Sequence, residues 1–299
     1  MISKLLVSSL CVFIVSHSFA TSVDVFGAKT SDDIELDYLE VSSQYKSFSL
    51  QARVSETSFS KKYGSIYSLG GNYDLKVTET QSVSLGADIK DVDLNERHHV
   101  RPYFSGNYKF TGKWALLSIG GEQRLPGETL SVTQVSFIDL REDELFYSLT
   151  LRPVDYLRFI SSQYYSWTAD NNEKFSADTA LFYGISKGWP WIWIGYGYST
   201  LNYQKNSHGY WSPDRFWAHG FRLDASFPVV DKLSGILAIN LNKYNEDGFK
   251  GDGYFAVAGV QWGASSKDHI KLMWTQIKSG QSNSPWVYNS LNLKATYSF

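Results

Sequence analysis

From Val287 to the end of the chain, apolar and polar side chains take turns. Val287, Leu291, Leu293, Ala295, Tyr297 and Phe299 share one parity, and Ser290, Asn292, Lys294, Thr296 and Ser298 share the other. Successive side chains of a β-strand point to opposite faces. This segment therefore makes a strand with one greasy face and one wet face. A soluble core would bury the first face and leave the second in water; a membrane-spanning sheet does the converse with a lumen.

The same alternation recurs upstream. Phe48, Leu50, Ala52 and Val54 oppose Ser49, Gln51, Arg53 and Ser55; Val83, Leu85, Ala87 and Ile89 oppose Ser84, Asp88 and Lys90. Leu145, Tyr147, Leu149 and Leu151 oppose Ser148, Thr150 and Arg152, and Phe221, Leu223, Ala225 and Phe227 oppose Arg222, Asp224 and Ser226. Turn-forming residues at Lys61-Lys62, Asp91–Glu96, Leu125-Pro126-Gly127, Asp170–Asn172, Glu246-Asp247-Gly248 and Ser279–Pro285 divide these runs. The pattern predicts an all-β chain: a closed transmembrane antiparallel β-barrel of about sixteen strands, beginning near Ile34 and ending at Phe299. Fourteen is the alternative count. The phase slips in Ser131–Leu140, which suggests a bulge, and both parities are apolar in Trp189–Tyr198. A large soluble sandwich or propeller would also alternate. The chain shows no blade repeat, however, and its wet face carries long charged residues in a number that no soluble core would accept.

Three further features fit that reading. Lys4, the apolar run Leu5–Val15 and Ser18-Phe19-Ala20 read as a signal peptide over residues 1–20, cleaved after Ala20, since the run is too short for a transmembrane helix. Residues 21–33 then form a periplasmic lead-in and 34–299 the barrel, placed in the outer membrane of a Gram-negative cell. The one cysteine, Cys11, lies in the leader, so the exported part holds together without disulfides. Mean hydropathy is negative at −0.26 although the chain holds 10 Trp, 20 Tyr and 18 Phe; a barrel needs apolar residues on only half its positions. The aromatics cluster near strand ends, at Trp189, Trp191 and Trp193 among others, as in an interfacial girdle, with lumenal sugar stacking as the alternative role. Phe299 ends the chain on the apolar parity, where it would serve the barrel assembly machinery as a recognition feature.

His208–Trp217 reads H-G-Y-W-S-P-D-R-F-W. This resembles the Gly-Tyr-aromatic-Ser-Pro-Gln motif in the C-terminal barrel of bacterial cellulose-synthesis and exopolysaccharide-export subunits. Gly209, Tyr210, Trp211, Ser212 and Pro213 fill the pattern, and Asp214 replaces the Gln. The resemblance covers about the last third of the chain, from Asn202 to Phe299. It lacks the helical-repeat scaffold that precedes the barrel in cellulose-type exporters. The resemblance implies a channel that exports a secreted polysaccharide, as in biofilm formation. Its partners would be outer-membrane lipid, a separate periplasmic scaffold and an inner-membrane synthase. It also implies a glycan path or gating loop at Tyr210, Trp211, Ser212, Pro213, Asp214 and Arg215, with Arg222 and Asp224 on the next strand.

Other chemistry leaves little trace. The exported part has His98, His99, His208, His219 and His269, with no Gly-x-Ser-x-Gly, His-Glu-x-x-His or Walker loop. No catalytic residue, metal ligand or cofactor is expected. A formal net charge of −2 gives no basic footprint for nucleic acid. The inferred lumen mixes Arg53, Arg101, Lys109, Arg124, Arg152, Arg158, Arg222, Lys271 and Lys294 with Asp74, Asp88, Glu122, Asp178 and Asp224. These would form a neutralised network or a hydrated path for a glycan. The competing functions are a general or solute-specific porin and a barrel enzyme acting on lipid or glycan.

Overall fold

The computed structural model describes residues 20–31, 33–59, 62–94, 97–125, 141–186, 189–205, 212–263, 268–281 and 284–298. They form sixteen antiparallel strands: β1 (Ala20–Thr30), β2 (Glu35–Tyr45), β3 (Phe48–Phe59), β4 (Lys62–Lys76), β5 (Gln81–Leu94), β6 (Arg97–Thr111), β7 (Ala115–Arg124), β8 (Glu142–Val154), β9 (Leu157–Thr168), β10 (Glu173–Gly184), β11 (Trp191–Tyr203), β12 (Phe216–Val230), β13 (Leu233–Glu246), β14 (Phe249–Trp262), β15 (His269–Gln281) and β16 (Ser284–Ser298). Each strand pairs with its sequence neighbours, and β1 pairs with β16 to close the barrel. Ala20 sits opposite Ser298, so the start of β1 and the end of β16 lie at one rim, here the terminal rim. The opposite end is the distal rim.

The register fixes which parity faces where. Leu39 of β2 lies between Val25 and Val54, Leu69 pairs with Ile89, and Leu272 with Leu293. All but the half-buried Val54 stay exposed on the outer wall, as do Leu85, Phe104, Leu145, Leu181, Phe221 and Leu291. An exposed apolar belt that runs over so many strands has no counterpart in a water-soluble protein; its solvent is lipid. The inner face carries Asp24, Glu40, Arg53, Asp88, Glu144, Asp178, Arg222 and Lys294 from the other parity.

Two-residue reversals join several strands, and their conformations match the residues there. Asp247 and Gly248 both take positive φ, 48° and 95°, between β13 and β14. This is the backbone of a type I′ turn, whose twist suits a hairpin and which Asp-Gly tolerates.

The structure corrects three boundaries. The barrel starts at Ala20, not near Ile34, so residues of the expected lead-in 21–33 form β1. In that strand Val23 and Val25 face outward, but Phe26 and Ala28 face inward, and this mixed inner parity hid the alternation. Asp91–Glu96 and Ser279–Pro285 were expected as turns, yet β5 runs to Leu94, β15 to Gln281 and β16 starts at Ser284. The reason is length. A strand of fifteen residues is about 50 Å long. Tilted by about 40°, it rises about 38 Å, past an apolar band of about 25 Å. Beyond the band the pattern changes: in β5 Asp91 and Asp93 take the outer parity, while Val92 on the inner parity is buried against Ile66 and Tyr103. Residues 1–19 of the expected signal peptide 1–20, the segment Ser131–Leu140 and Phe299 lie outside the described residues.

Leu291 sits at the middle of β16 with 54% of its surface exposed on the outer wall, while Asn292 points inward and donates to Asp24 Oδ1 at 2.5 Å. Leu291→Arg should cost about 2–4 kcal/mol of folding stability in lipid, and Asn292→Ser much less. Urea titration in bilayers checks this, and single cysteines along 287–297 should react alternately with a water-soluble reagent.

Candidate functional site

The inner wall from β7 to β12 is organised in three tiers. At the distal rim, Arg124 ends β7 and Glu142 begins β8. Arg124 Nε donates to Glu142 Oε2 at 3.1 Å and its NH2 to Glu144 Oε2 at 2.6 Å. Lys174 ion-pairs with Glu142 and lies 3.7 Å from Glu144, and Ser166 Oγ donates to Glu142 at 2.5 Å. The two glutamate side chains are only 4% and 2% exposed, so this cluster is a filled part of the wall and not an open surface.

In the middle tier Arg222 grips Asp178 with both ends of its guanidinium, at 2.8 and 2.5 Å, and Ser199 donates to the same carboxylate at 2.5 Å. Fork-on-carboxylate geometry of this kind is strong and directional. It needs room. Arg222 lies flat across Gly197 of the neighbouring strand, where an added Cβ would stand 2.0 Å from Nε.

The third tier lies toward the terminal rim. Arg158 pairs with Asp224, and its guanidinium sits over Phe182 at 4.3 Å and Trp193 at 4.8 Å. Trp193, Phe182 and Ala180 form a buried apolar cluster against Ile160. Below it opens a cavity of about 540 Å³, a size that suits a small molecule or a few sugar units. Its wall includes Trp114 and Lys113 from the β6–β7 turn, Arg152 and Asp155 from the end of β8 and the turn after it, and Trp191 and Trp193 from β11. The Arg152 N–H donates to the Trp114 carbonyl at 2.7 Å, which ties the β6–β7 turn to β8 and holds Trp114 beside Arg152. Arg152 lies 5.8 Å from the Trp193 ring and Lys113 5.4 Å from the Trp114 ring. Trp191 is 54% exposed, a broad open ring at the mouth, whereas Trp193 is 9% exposed. The wall also holds Ser186 and Ser226, so the cavity combines aromatic platforms, charges and two hydroxyls.

The residues singled out from sequence fall in separate places. Tyr210 and Trp211 lie outside the described residues. Ser212 and Pro213 are buried at the distal rim, where the Pro213 carbonyl accepts from Tyr203 N–H at 3.0 Å. The backbone N–H groups of Asp214 and Arg215 donate to the Asp247 carboxylate at 3.3 and 2.7 Å, and Asp247 N–H returns a bond to the Arg215 carbonyl at 2.9 Å. This stretch is thus a loop base clamped onto the β13–β14 hairpin. Arg222 and Asp224 both face the lumen from β12, in the middle and lower tiers. From Phe216 to Asp224 is about 25–30 Å of strand. The structure therefore does not bring 212–215 together with Asp224.

For Trp189, Trp191 and Trp193 the sequence offers two roles, an interfacial girdle and, as the alternative, lumenal sugar stacking; it does not single out Trp114. Trp191 and Trp193 line the interior. The available signal was parity. They share it with Gly195 and Gly197, while Ile192, Ile194, Tyr196 and Tyr198 take the outer face.

No protein-family model matches the chain, and no curated protein matches it in sequence. Solved structures do match the fold. One described as a bacterial polysaccharide outer membrane secretin superposes with a TM-score of 0.74 at 11% identity, over 95% of this chain and 99% of that one. CdiB from Acinetobacter baumannii gives a TM-score of 0.57 at 9% identity, over 94% of this chain and 60% of that one. At such identities the likeness is one of fold: this is a sixteen-strand barrel of the outer-membrane type.

The distal cluster makes a direct prediction. Lys174→Met leaves two buried carboxylates with one cation and should cost about 3–5 kcal/mol, while Lys174→Met combined with Glu142→Gln should recover much of the loss. Denaturant midpoints of the refolded barrel measure both; a single-variant loss below about 1 kcal/mol would mean that lumenal water already screens the cluster.

Proposed function

We propose that this chain is an outer-membrane channel through which a polysaccharide leaves the cell, as the exit subunit of a synthesis machine whose periplasmic scaffold and inner-membrane synthase are separate proteins. The observation that carries the reading is the cavity at the terminal rim. Trp114, Trp191 and Trp193 face it together with Arg152 and Asp224. Indole faces are apolar, broad and flat, and they suit the apolar faces of pyranose rings. A neighbouring row of polar groups then meets ring substituents. In a bacterial barrel the terminal rim is the periplasmic one, so a polymer delivered from inside meets this surface first. The Ser212-Pro213 motif and the likeness to a polysaccharide outer membrane secretin point the same way.

The subunit breaks no bond in this reading. The upper tiers supply a hydrated, internally neutralised wall, and the aromatic platforms give many weak contacts that guide a chain without trapping it. The clamped loop base at 212–215 shapes the distal exit.

Loss of the protein should lower extracellular polysaccharide and leave polymer in the periplasm, with little change in small-solute uptake. Trp191→Ala with Trp193→Ala should reduce export several-fold at normal barrel yield. Polysaccharide assays on wild-type, deletion and variant strains, beside single-channel conductance of purified protein, decide the matter. Unchanged polysaccharide with a steadily open, salt-conducting pore would make the chain a porin. Unchanged polysaccharide with hydrolytic activity would make it an enzyme.

A further inference from the structure

Among the described residues, five charged side chains line the terminal-rim cavity: Lys113, Arg152, Asp155, Arg158 and Asp224. They are not equivalent. Arg158 and Asp224 spend their charges on each other. Lys113 and Arg152 make no ion pair among the described residues; each rests instead on an indole face, at 5.4 and 5.8 Å. A ring quadrupole attracts a cation but does not neutralise it. Two uncommitted cations therefore face one uncommitted acid, Asp155, which is exposed in the β8–β9 turn.

The neutral polar groups of the cavity are just as informative. A site for an uncharged sugar is expected to present amides and carboxylates, which can match hydroxyls as both donors and acceptors. Among the described residues this wall has no Asn or Gln, its serines are Ser186 and Ser226, and Asp224 is occupied by Arg158. Ser186 in turn donates to the Pro190 carbonyl. What remains is two donor-only cations beside flat rings, with the exposed Asp155 and the Ser226 hydroxyl as the acceptors. A guanidinium next to an indole offers an aromatic floor for a sugar ring and a planar fork for a carboxylate on that same ring.

Resting on the glycan-channel reading above, we infer that the polymer is anionic: a polysaccharide bearing carboxylate groups, stacked on Trp193 and Trp114 and held through Arg152 and Lys113. The wall is arranged for this class and against neutral glycans. The upper tiers agree with passage of such a polymer. Their cations Arg124, Lys174 and Arg222 are already paired with Glu142, Glu144 and Asp178, so an anionic chain that leaves the cavity meets neutralised tiers there.

The test uses the full-length barrel in detergent and two defined probes, trigalacturonic acid and maltotriose, titrated by calorimetry at low salt. Trigalacturonic acid should bind at least tenfold more tightly than maltotriose, and 0.5 M salt should shrink the difference because exposed charges are screened. Arg152→Gln with Lys113→Gln should bring the acidic probe down to the neutral level, and Arg152→Lys with Lys113→Arg should restore part of the gap. Heat-modifiable migration confirms that each variant is folded; both positions lie at the rim, outside the buried tiers. Equal binding of the two probes would overturn the anionic assignment and leave the glycan channel standing. So would a preference for the acid that survives the double variant, since it would place recognition elsewhere. Binding of neither probe would overturn both readings.

Discussion

A backbone that crosses lipid has no water to satisfy its N–H and C=O groups, and each unpaired group there costs several kcal/mol. A sheet meets that demand only by closing on itself. Here the closure is the β1–β16 seam, in register from Ala20↔Ser298 to Thr30↔Tyr288. Most of the other architecture follows from that pairing. Every strand must show lipid an apolar face, and every second residue is thereby released from that duty. The released half builds the interior, with charges that would be ruinous outside and are affordable inside because they meet one another across strands.

The interior then divides its charges by use. Arg124, Lys174 and Arg222 are paired with carboxylates and hold neighbouring strands together. They do the cross-linking without disulfides, since Cys11 is the one cysteine of the sequence and lies before β1. Arg152 and Lys113, near the rim, have rings for company in place of acids. Structural cations are buried and matched; the unmatched ones sit where a ligand can reach them. The same residue types serve both purposes, and their partners tell the two apart.

The fold was legible because membrane and lumen write a two-residue period that few other solvents write. The register of β16 could be read directly from Leu291, Leu293 and Ala295. Legibility failed where that contrast fails. In β1, Phe26 points inward and stacks on Tyr38 at 4.8 Å, so both faces look apolar. In β11, the inner parity is Trp193, Gly195 and Gly197, which reads as neither wet nor greasy. The site suffered from a second limit. Arg222 and Asp224 could be placed on the inner face from parity alone. Their partners Asp178 and Arg158 lie 44 and 66 residues away in sequence, and no local pattern pairs residues at such separations. Trp114 lies in a turn, where parity gives no direction.

Gly197 carries one more consequence. Arg222 can lie flat only because position 197 has no side chain, and position 197 is free of one only because the flat guanidinium fills its place. Neither position can change alone without a collision or a hole. Across descendants of a common ancestor the two should therefore behave as a single inherited character: glycine with arginine in some lineages, a bulkier residue with a short one in others. Such a linked pair outlasts general resemblance. It offers a way to sort distant barrels into kin and mere look-alikes where only about one residue in ten is shared, as with the polysaccharide secretin at 11% identity.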